Sequence, residues 1–406
     1  MIVDGVGIGS GSQKHIKDNN QKLIVRLLMQ HELLAIKEIS RLTGLSIVSV
    51  SKNMDELLES RVLIADGIED DVSYGRKPMI YRFNNTYKYI AGIDLGKKKV
   101  DISIGNMQNE IVRITAYEIP EDTGGADIIN NIIQHLSDML ESQGISNDML
   151  GCIVIANPGI VYDSSGRIRR PAEIAEKWAN IPLVKVFADR FLCNVIVMND
   201  IDVSALGFQA VQSPENRHLN YIHVRVDAGI GIGIIINGNL LEGQSASVGE
   251  VGFTTQIHED GSVELVSYES IASLSALVSR LKKLLIGNEG SIIYRKTQGV
   301  PDHLTLEVIA DAAQTDAFVQ QEITHMAGHI AAVALNGMLL LDINTVVLDG
   351  GVLLLGDRFL DPFARTIKEH SIPNNDITVV VAEERSATYG CFQVGRNHVI
   401  EHDILM

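Results

Sequence analysis

The stretch whose reading decides the fold runs from Val195 to Gly252. It opens with VIVMND (Val195–Asp200) and passes through a helical segment. It continues as YIHVRVDAGIGIGIIINGN (Tyr221–Asn239) and closes with SVGEVG (Ser247–Gly252). Apolar runs of strand length alternate there with glycine-rich turns. Asn199 and Asp200 end one strand, Asp227 ends the next, and Glu250 stands between Gly249 and Val251. In open α/β sheets ligands bind beyond the strand ends, where side chains project into a crevice. An Asn-Asp pair, a second Asp and a Glu converging there suit a small polyhydroxylated ligand, because carboxylates accept hydrogen bonds from hydroxyls. The same residue types also form turns and helix caps, so both readings stand at this point.

The remaining 348 residues put this stretch in context: a chain of 406 residues, 46% hydrophobic and 21% charged, has material for two or three domains with sizeable cores. Its net charge of -17 excludes a molecule coated in basic surface. The balance is uneven. Residues 1–88 carry 12 basic and 11 acidic side chains, and the rest carry 22 and 40. Any nucleic-acid contact therefore belongs to the near-neutral head. Cys152, Cys193 and Cys391 are too far apart for a disulfide framework or a zinc knuckle, and read as thiols of a reducing cytoplasm. The beginning, MIVDGVGIGSGSQ, lacks the basic and apolar regions of a signal peptide. No run of eighteen apolar residues occurs, so no membrane partner is expected.

Residues 1–14 read as a flexible tail and 15–88 as a winged helix-turn-helix. Leu23, Ile24, Leu27 and Leu28 predict one apolar helix face. Ile36, Ile39 and Leu42 predict a second, ending at Thr43-Gly44. Ser46 is placed to cap a third helix, which buries Val50, Met54, Leu57 and Leu58. Two short helices around a tight Gly-containing turn make the motif whose second helix enters the major groove by its first turn. Ser46, Val48, Ser49 and Lys52 stand at that end and the acids at the other. Ser49 suits a base edge or phosphate, Val48 a thymine methyl and Lys52 a phosphate. Arg76 and Lys77 lie in the wing, against backbone or minor groove. A small helical bundle that docks another protein is the competing reading.

The body, from residue 89, begins with a hairpin carrying Asp94 at its mouth, and a similar unit recurs at Tyr221 to Ile236. Two such hairpins predict a duplicated α/β lobe with a cleft between copies. We place one lobe at 89–198, with the last helix (385–406) returning to it, and the other at 199–384. The run Gly229-x-Gly231-x-Gly233 leads into a strand, whereas a dinucleotide fingerprint opens a helix. Asp349-Gly350-Gly351 reads as a backbone-exposing turn fit for a nucleotide or a close helix.

Taken in order, the helix-turn-helix, Gly92-Ile93-Asp94-Leu95-Gly96, Asn157-Pro158-Gly159, Asn199-Asp200, the DAGIGIG run and Gly249-Glu250-Val251-Gly252 resemble the ROK family of repressors and sugar kinases. The resemblance implies an actin-like, hexokinase-type fold of two α/β lobes around a sugar cleft. Its head is similar to that of the family's xylose- and N-acetylglucosamine-responsive repressors. Asn199, Asp200, Glu250 and Glu269 match the family's sugar-contacting residues, and Asp200 matches the kinases' general base. Two departures stand out. Lys97 and Lys98 replace the Gly and Thr of the first phosphate turn, and a Lys side chain fills the space that glycine leaves for phosphates. Phe253 stands where many members have a zinc-binding His, and Thr254 to Tyr268 holds no Cys, so neither zinc nor another cofactor is expected. The sequence thus predicts a cytoplasmic repressor of carbohydrate genes, not an enzyme. Its partners are a double-stranded operator, a sugar-like effector and a second copy of itself, as a homodimer or dimer of dimers. An active sugar kinase with an accessory head is the alternative. A regulator that has lost its sugar and answers to a protein partner is a third.

Overall fold

A computed structural model describes residues 11–68, 78–96, 98–161, 165–171, 176–213, 217–258, 260–285, 289–373 and 375–404. Arg76, Lys77 and Lys97 lie outside them.

The head runs α1 (Gly11–Gln30), β1 (Leu34–Ala35), α2 (Ile36–Thr43), α3 (Ile47–Glu59), β2 (Leu63–Ile68) and β3 (Met79–Phe83). Its three strands pair in the order β1-β3-β2. Helix α1 begins at Gly11, inside the stretch expected to be a tail, because Gln13 to Lys17 continue the helical run backward. Its buried face is Gln21, Ile24, Val25 and Leu28, one position round from the expected one, and Leu23 points outward. Leu42, expected inward, is 42% exposed, since α2 is only eight residues long and Ile39 is its buried residue. Gly44, in the left-handed region at φ 73°, ends α2, and its N–H donates to the carbonyl of Ser40. The Ser46 hydroxyl accepts from the N–H of Ser49 at 3.2 Å and caps α3, which buries Val50, Met54 and Leu57.

The body begins with β4 (Tyr89–Leu95), β5 (Lys99–Asn106), β6 (Ile111–Glu118), α4 (Gly125–Ser142), β7 (Leu150–Asn157), β8 (Gly159–Val161), β9 (Ile168–Pro171), α5 (Leu183–Phe191) and β10 (Asn194–Asn199). Helix α6 (Asp200–Val211) leads to β11 (Tyr221–Val226), β12 (Ile230–Ile236), β13 (Asn239–Leu240), β14 (Phe253–Ile257) and β15 (Val263–Ser267). Helices follow: α7 (Glu269–Ala272), α8 (Leu274–Leu285), α9 (Ile292–Thr297), α10 (Leu306–Ala312) and α11 (Ala317–Leu341). The chain ends with β16 (Thr345–Asp349), α12 (Asp357–His370), β17 (Thr378–Val381) and α13 (Ser386–His402).

The duplication lies in the strand order. One sheet is β10-β7-β4-β5-β6 and the other β17-β16-β11-β12-β13. In each, an antiparallel three-strand unit is followed by two parallel strands on its far side. Central strands β7 and β16 are buried throughout, as strands covered on both faces must be. Helix α11 is long and apolar enough to cross a membrane by length and composition, but its Ile323, Met326, Ile330 and Ala334 lie in the core of the second lobe.

Helices α6 and α13 pack face to face between the two halves. A methyl group on Gly207 would stand 1.7 Å from the carbonyl oxygen of Ser386, and one on Gly390 would stand 1.9 Å from that of Val203. Each helix therefore places its glycine against the other's backbone. The opposite side of α13 packs on β4 and β7, with Cys391, Phe392 and Val399 in a core that continues through Ile90 and Val154 into the head's Ile24 and Leu28.

Candidate functional site

The strand ends that face the cleft bring charged groups together. Asn199 ends β10 and caps α6. Its side-chain oxygen accepts from the N–H of Ile201 at 2.9 Å and its amide donates to the carbonyl of Gly159 at 3.2 Å. Its first role is thus to hold the β10–α6 corner. Asp200 is the first residue of α6, and its Oδ1 is buried without a hydrogen-bond partner. Burial raises its pKa above the usual carboxylate range, with Arg225 pulling it down and Asp227 pushing it up. One half-turn on, burial, then Asp200, Glu250 and Glu242 push Asp202 to about 7.

Glu250 is positioned by its neighbour. Gly249 is in the left-handed region at φ 76°, and a methyl there would stand 1.6 Å from the carbonyl oxygen of Ile232. Only glycine passes so close to β12. Glu269 opens α7. Its Oε1 lies 3.4 Å from the N–H of Ile230, and a methyl on Gly229 would stand 2.6 Å from the same oxygen. Asp200 is thus beside Arg225 and Asp227, Glu250 beside Asp202, and Glu269 against the β11–β12 turn.

The glycine run has a packing function. A methyl on Gly231 would stand 1.7 Å from Cδ1 of Ile201, so this edge of β12 is where α6 seats. Gly350-Gly351 closes on the neighbouring hairpin and has a helix close by: the N–H of Gly351 donates to Oδ1 of Asp227 at 2.6 Å, a methyl on Gly350 would stand 2.6 Å from the carbonyl oxygen of Val226, and one on Gly351 would stand 3.1 Å from Cδ1 of Leu274, the first residue of α8.

Sequence reasoning missed the basic members of the site. Arg225 donates from Nε to Asp227 at 2.9 Å and from a terminal nitrogen to Ser204 at 2.6 Å. Burial works against its charge, but Asp94, Asp227, Asp349 and Asp200 outweigh it and raise its pKa. His223, fully buried, lies 3.1 Å through Nε2 from Oδ2 of Asp349. Burial alone would raise Asp349, yet His223 and Arg225 hold its carboxyl below the usual range. The signal was there to read. His223 and Arg225 alternate in the otherwise apolar YIHVRV, and buried charges in a strand must find partners. Asp94, with burial against it, is pushed up to about 6 despite Arg225.

At the end of β7, buried Asn157 accepts from the indole N–H of Trp178 at 2.9 Å, and Trp178 is itself fully buried. The thiols of Cys152 and Cys391 are buried and that of Cys193 is half-buried; burial raises all three.

In the head, Val48 is 79% exposed and Lys52 is exposed, both on the first turns of α3. Ser46 is exposed, with its oxygen committed to the cap, and Ser49 is half-buried. Lys98 is exposed on the β4–β5 turn.

A helix-turn-helix head on a duplicated, actin-like α/β body with acids at facing strand ends defines a class that holds both regulators and sugar kinases. The ROK family model matches residues 90–394, and the chain belongs to that family. It is 26% identical over 392 residues to a putative xylose repressor of Caldicellulosiruptor sp. (strain Rt8B.4), covering 94% of this chain and 96% of the relative. It is 28% identical over 315 residues to a glucokinase of Halalkalibacterium halodurans, covering 75% of this chain and 91% of that one. The crystal structure of a ROK family transcriptional regulator, a homolog of the E. coli MLC protein, superposes with a TM-score of 0.79 at 18% identity. It covers 96% of this chain and 99% of that one. The repressor-like match spans the head; the glucokinase match does not reach the full chain.

Proposed function

We propose that this chain is a sequence-specific DNA-binding repressor of carbohydrate genes, controlled by an unphosphorylated sugar held between the lobes. The observation that carries this reading is the outward first turn of α3, with Val48 and Lys52 free to meet a duplex, on a chain whose similarity to a putative xylose repressor runs nearly end to end. Val48, Ser49 and Lys52 read the groove and its phosphates, Ser46 holds the helix start, and the charges of Arg76 and Lys77 go to the DNA backbone or minor groove. Asn199, Asp200, Glu250 and Glu269 hold the sugar hydroxyls. Those carboxylates repel a phosphorylated ligand. A homodimer or dimer of dimers supplies paired heads, because one short helix reads too few bases for tight operator binding. The chain works in the cytoplasm, where operator and free sugar meet.

Coupling follows a continuous path. Asp200 opens α6, α6 is locked to α13 at Gly207 and Gly390, and Glu401 near the end of α13 pairs with Lys22 and Arg26 of α1. A sugar that prefers one setting of α6 biases the head through this path. Gel-shift binding to DNA from upstream of its own gene, with and without xylose and N-acetylglucosamine, tests the reading. Absence of any specific shift sinks the DNA half.

The second reading is a sugar kinase. The unpartnered Oδ1 of Asp200 favours it, as does similarity to a glucokinase. ATP-dependent phosphorylation of a hexose, abolished by Asp200→Asn, would promote it.

A further inference from the structure

The two body hairpins put opposite charges at equivalent places. Asp94 is the next-to-last paired residue of β4, before the pair Leu95–Val100. Arg225 is the next-to-last paired residue of β11, before the pair Val226–Ile230. With Asp349, both line a cavity of about 390 Å³ at the cleft floor. Within its own half Arg225 bonds Asp227 and Ser204 and stands 3.8 Å from Asp349. Asp94 and Asp200 are near enough for its charge to favour their ionised forms. Two carboxylates, from the β11–β12 turn and β16, thus pair with this guanidinium, and those of β4 and α6 lie within reach of its charge. Of the other bases lining the cavity, Lys99 is held by Asp101 at 3.2 Å, and Arg385 stands on the α13 side.

The geometry points to Arg225 as a resident cation of the cleft floor, one that pairs with Asp227 and Asp349 of the second lobe, shares its cavity with Asp94 of the first, and excludes divalent cations and the phosphates they carry. A guanidinium already shared among carboxylates offers little to a phosphate, and it spends the negative charge a divalent ion would need. No group of three His, Cys, Asp or Glu among the described residues is arranged to hold a metal ion. The inference concerns the floor alone and does not rest on the DNA-binding reading or on the sugar.

The test compares thermal midpoints of the full chain, as wild type, Arg225→Ala and Arg225→Lys, with millimolar MgCl2 against KCl of equal ionic strength. The wild-type midpoint is expected to ignore magnesium. Arg225→Ala is expected to melt lower and to recover part of the loss with MgCl2 only, since its carboxylates then take a cation from solution. Arg225→Lys keeps the charge but not the fork, so it should fall between the two and ignore magnesium. A wild type that gains from magnesium as much as the Ala variant overturns the inference, as does an Ala variant as stable as wild type. If the Ala variant does not fold, the Lys variant decides: a midpoint equal to wild type overturns the inference, and a lowered one indifferent to magnesium supports it. Calorimetry with magnesium·ADP adds a direct arm, and uptake by the wild type would also overturn it.

Discussion

Lys22 of the first helix and Glu401 of the last meet across 379 residues, with Nζ 2.7 Å from Oε2. Arg26 pairs with the same carboxylate, and the two bases hold its pKa below the usual value. Pairs this close to solvent are worth at most about 1 kcal/mol each. Glu401→Gln should therefore barely move the melting temperature. Hydrogen exchange along α1 should nevertheless speed up, and any sugar-dependent change in DNA affinity should shrink. Unchanged exchange in α1 would remove Glu401 from the coupling path.

Glycine at the α6–α13 crossing is a steric requirement. Gly207→Ala or Gly390→Ala places a methyl inside contact distance of a backbone oxygen, and overpacking of this kind costs about 1–3 kcal/mol or more. Gly328→Ala, inside α11 with nothing within 4 Å, is the control. It should stabilise by about 0.5–1 kcal/mol, the ordinary gain of alanine over glycine in a helix. Denaturant midpoints distinguish the two outcomes, and equal effects would refute the crossing argument.

The acidic pocket predicts a pH dependence. Burial first, then Asp200, Glu250 and Glu242, lift Asp202 from 3.8 to about 7. The folded state thus binds a proton more tightly than the unfolded chain, and this group's contribution to stability falls as pH rises from about 4 through 7. Asp202→Asn should melt above wild type at pH 8, with the difference closing toward pH 5. A difference independent of pH would exclude Asp202 as the source.

Lys52→Ala should weaken DNA binding across sequences alike and reduce the slope of log affinity against log salt by about 1. Val48→Ala should change sequence preference instead, because a methyl contact reads a base. Binding isotherms at several salt concentrations separate the two, and a Lys52→Ala protein with an unaltered slope places Lys52 away from phosphate.

The chain has one tryptophan, Trp178, bonded to Asn157 two residues before the Gly159 carbonyl that anchors Asn199. Trp178→Phe should cost about 1–3 kcal/mol, the usual result of stranding a buried acceptor. In the intact protein a sugar that moves the β10–α6 corner should change tryptophan emission. A ligand proven by calorimetry that leaves the emission unmoved would show that the corner stays still.

Local signals were sufficient wherever one residue type dictates a backbone. The Gly44 turn, the Ser46 cap, the apolar side of α3 and the paired hairpins followed from spacing and glycine alone. Helix faces were harder. Leu23 and Leu42 fit the period yet point outward, because which side of a short helix is buried depends on what lies across from it.

What the amino-acid order determined by itself was the head's three helices, the two hairpins that signal a duplication and the identity of the acids at the strand ends, since these rest on periodicities of two and 3.6 residues and on turn chemistry. What only the tertiary structure decided was the partnership among charges and glycines far apart in the chain. Arg225 with Ser204 and Asp349, Gly207 against Ser386, and Lys22 with Glu401 are each set by how two sheets and two helices come together. Coulomb attraction and steric contact act through a few ångströms of space, and no local pattern encodes which distant segments will share it.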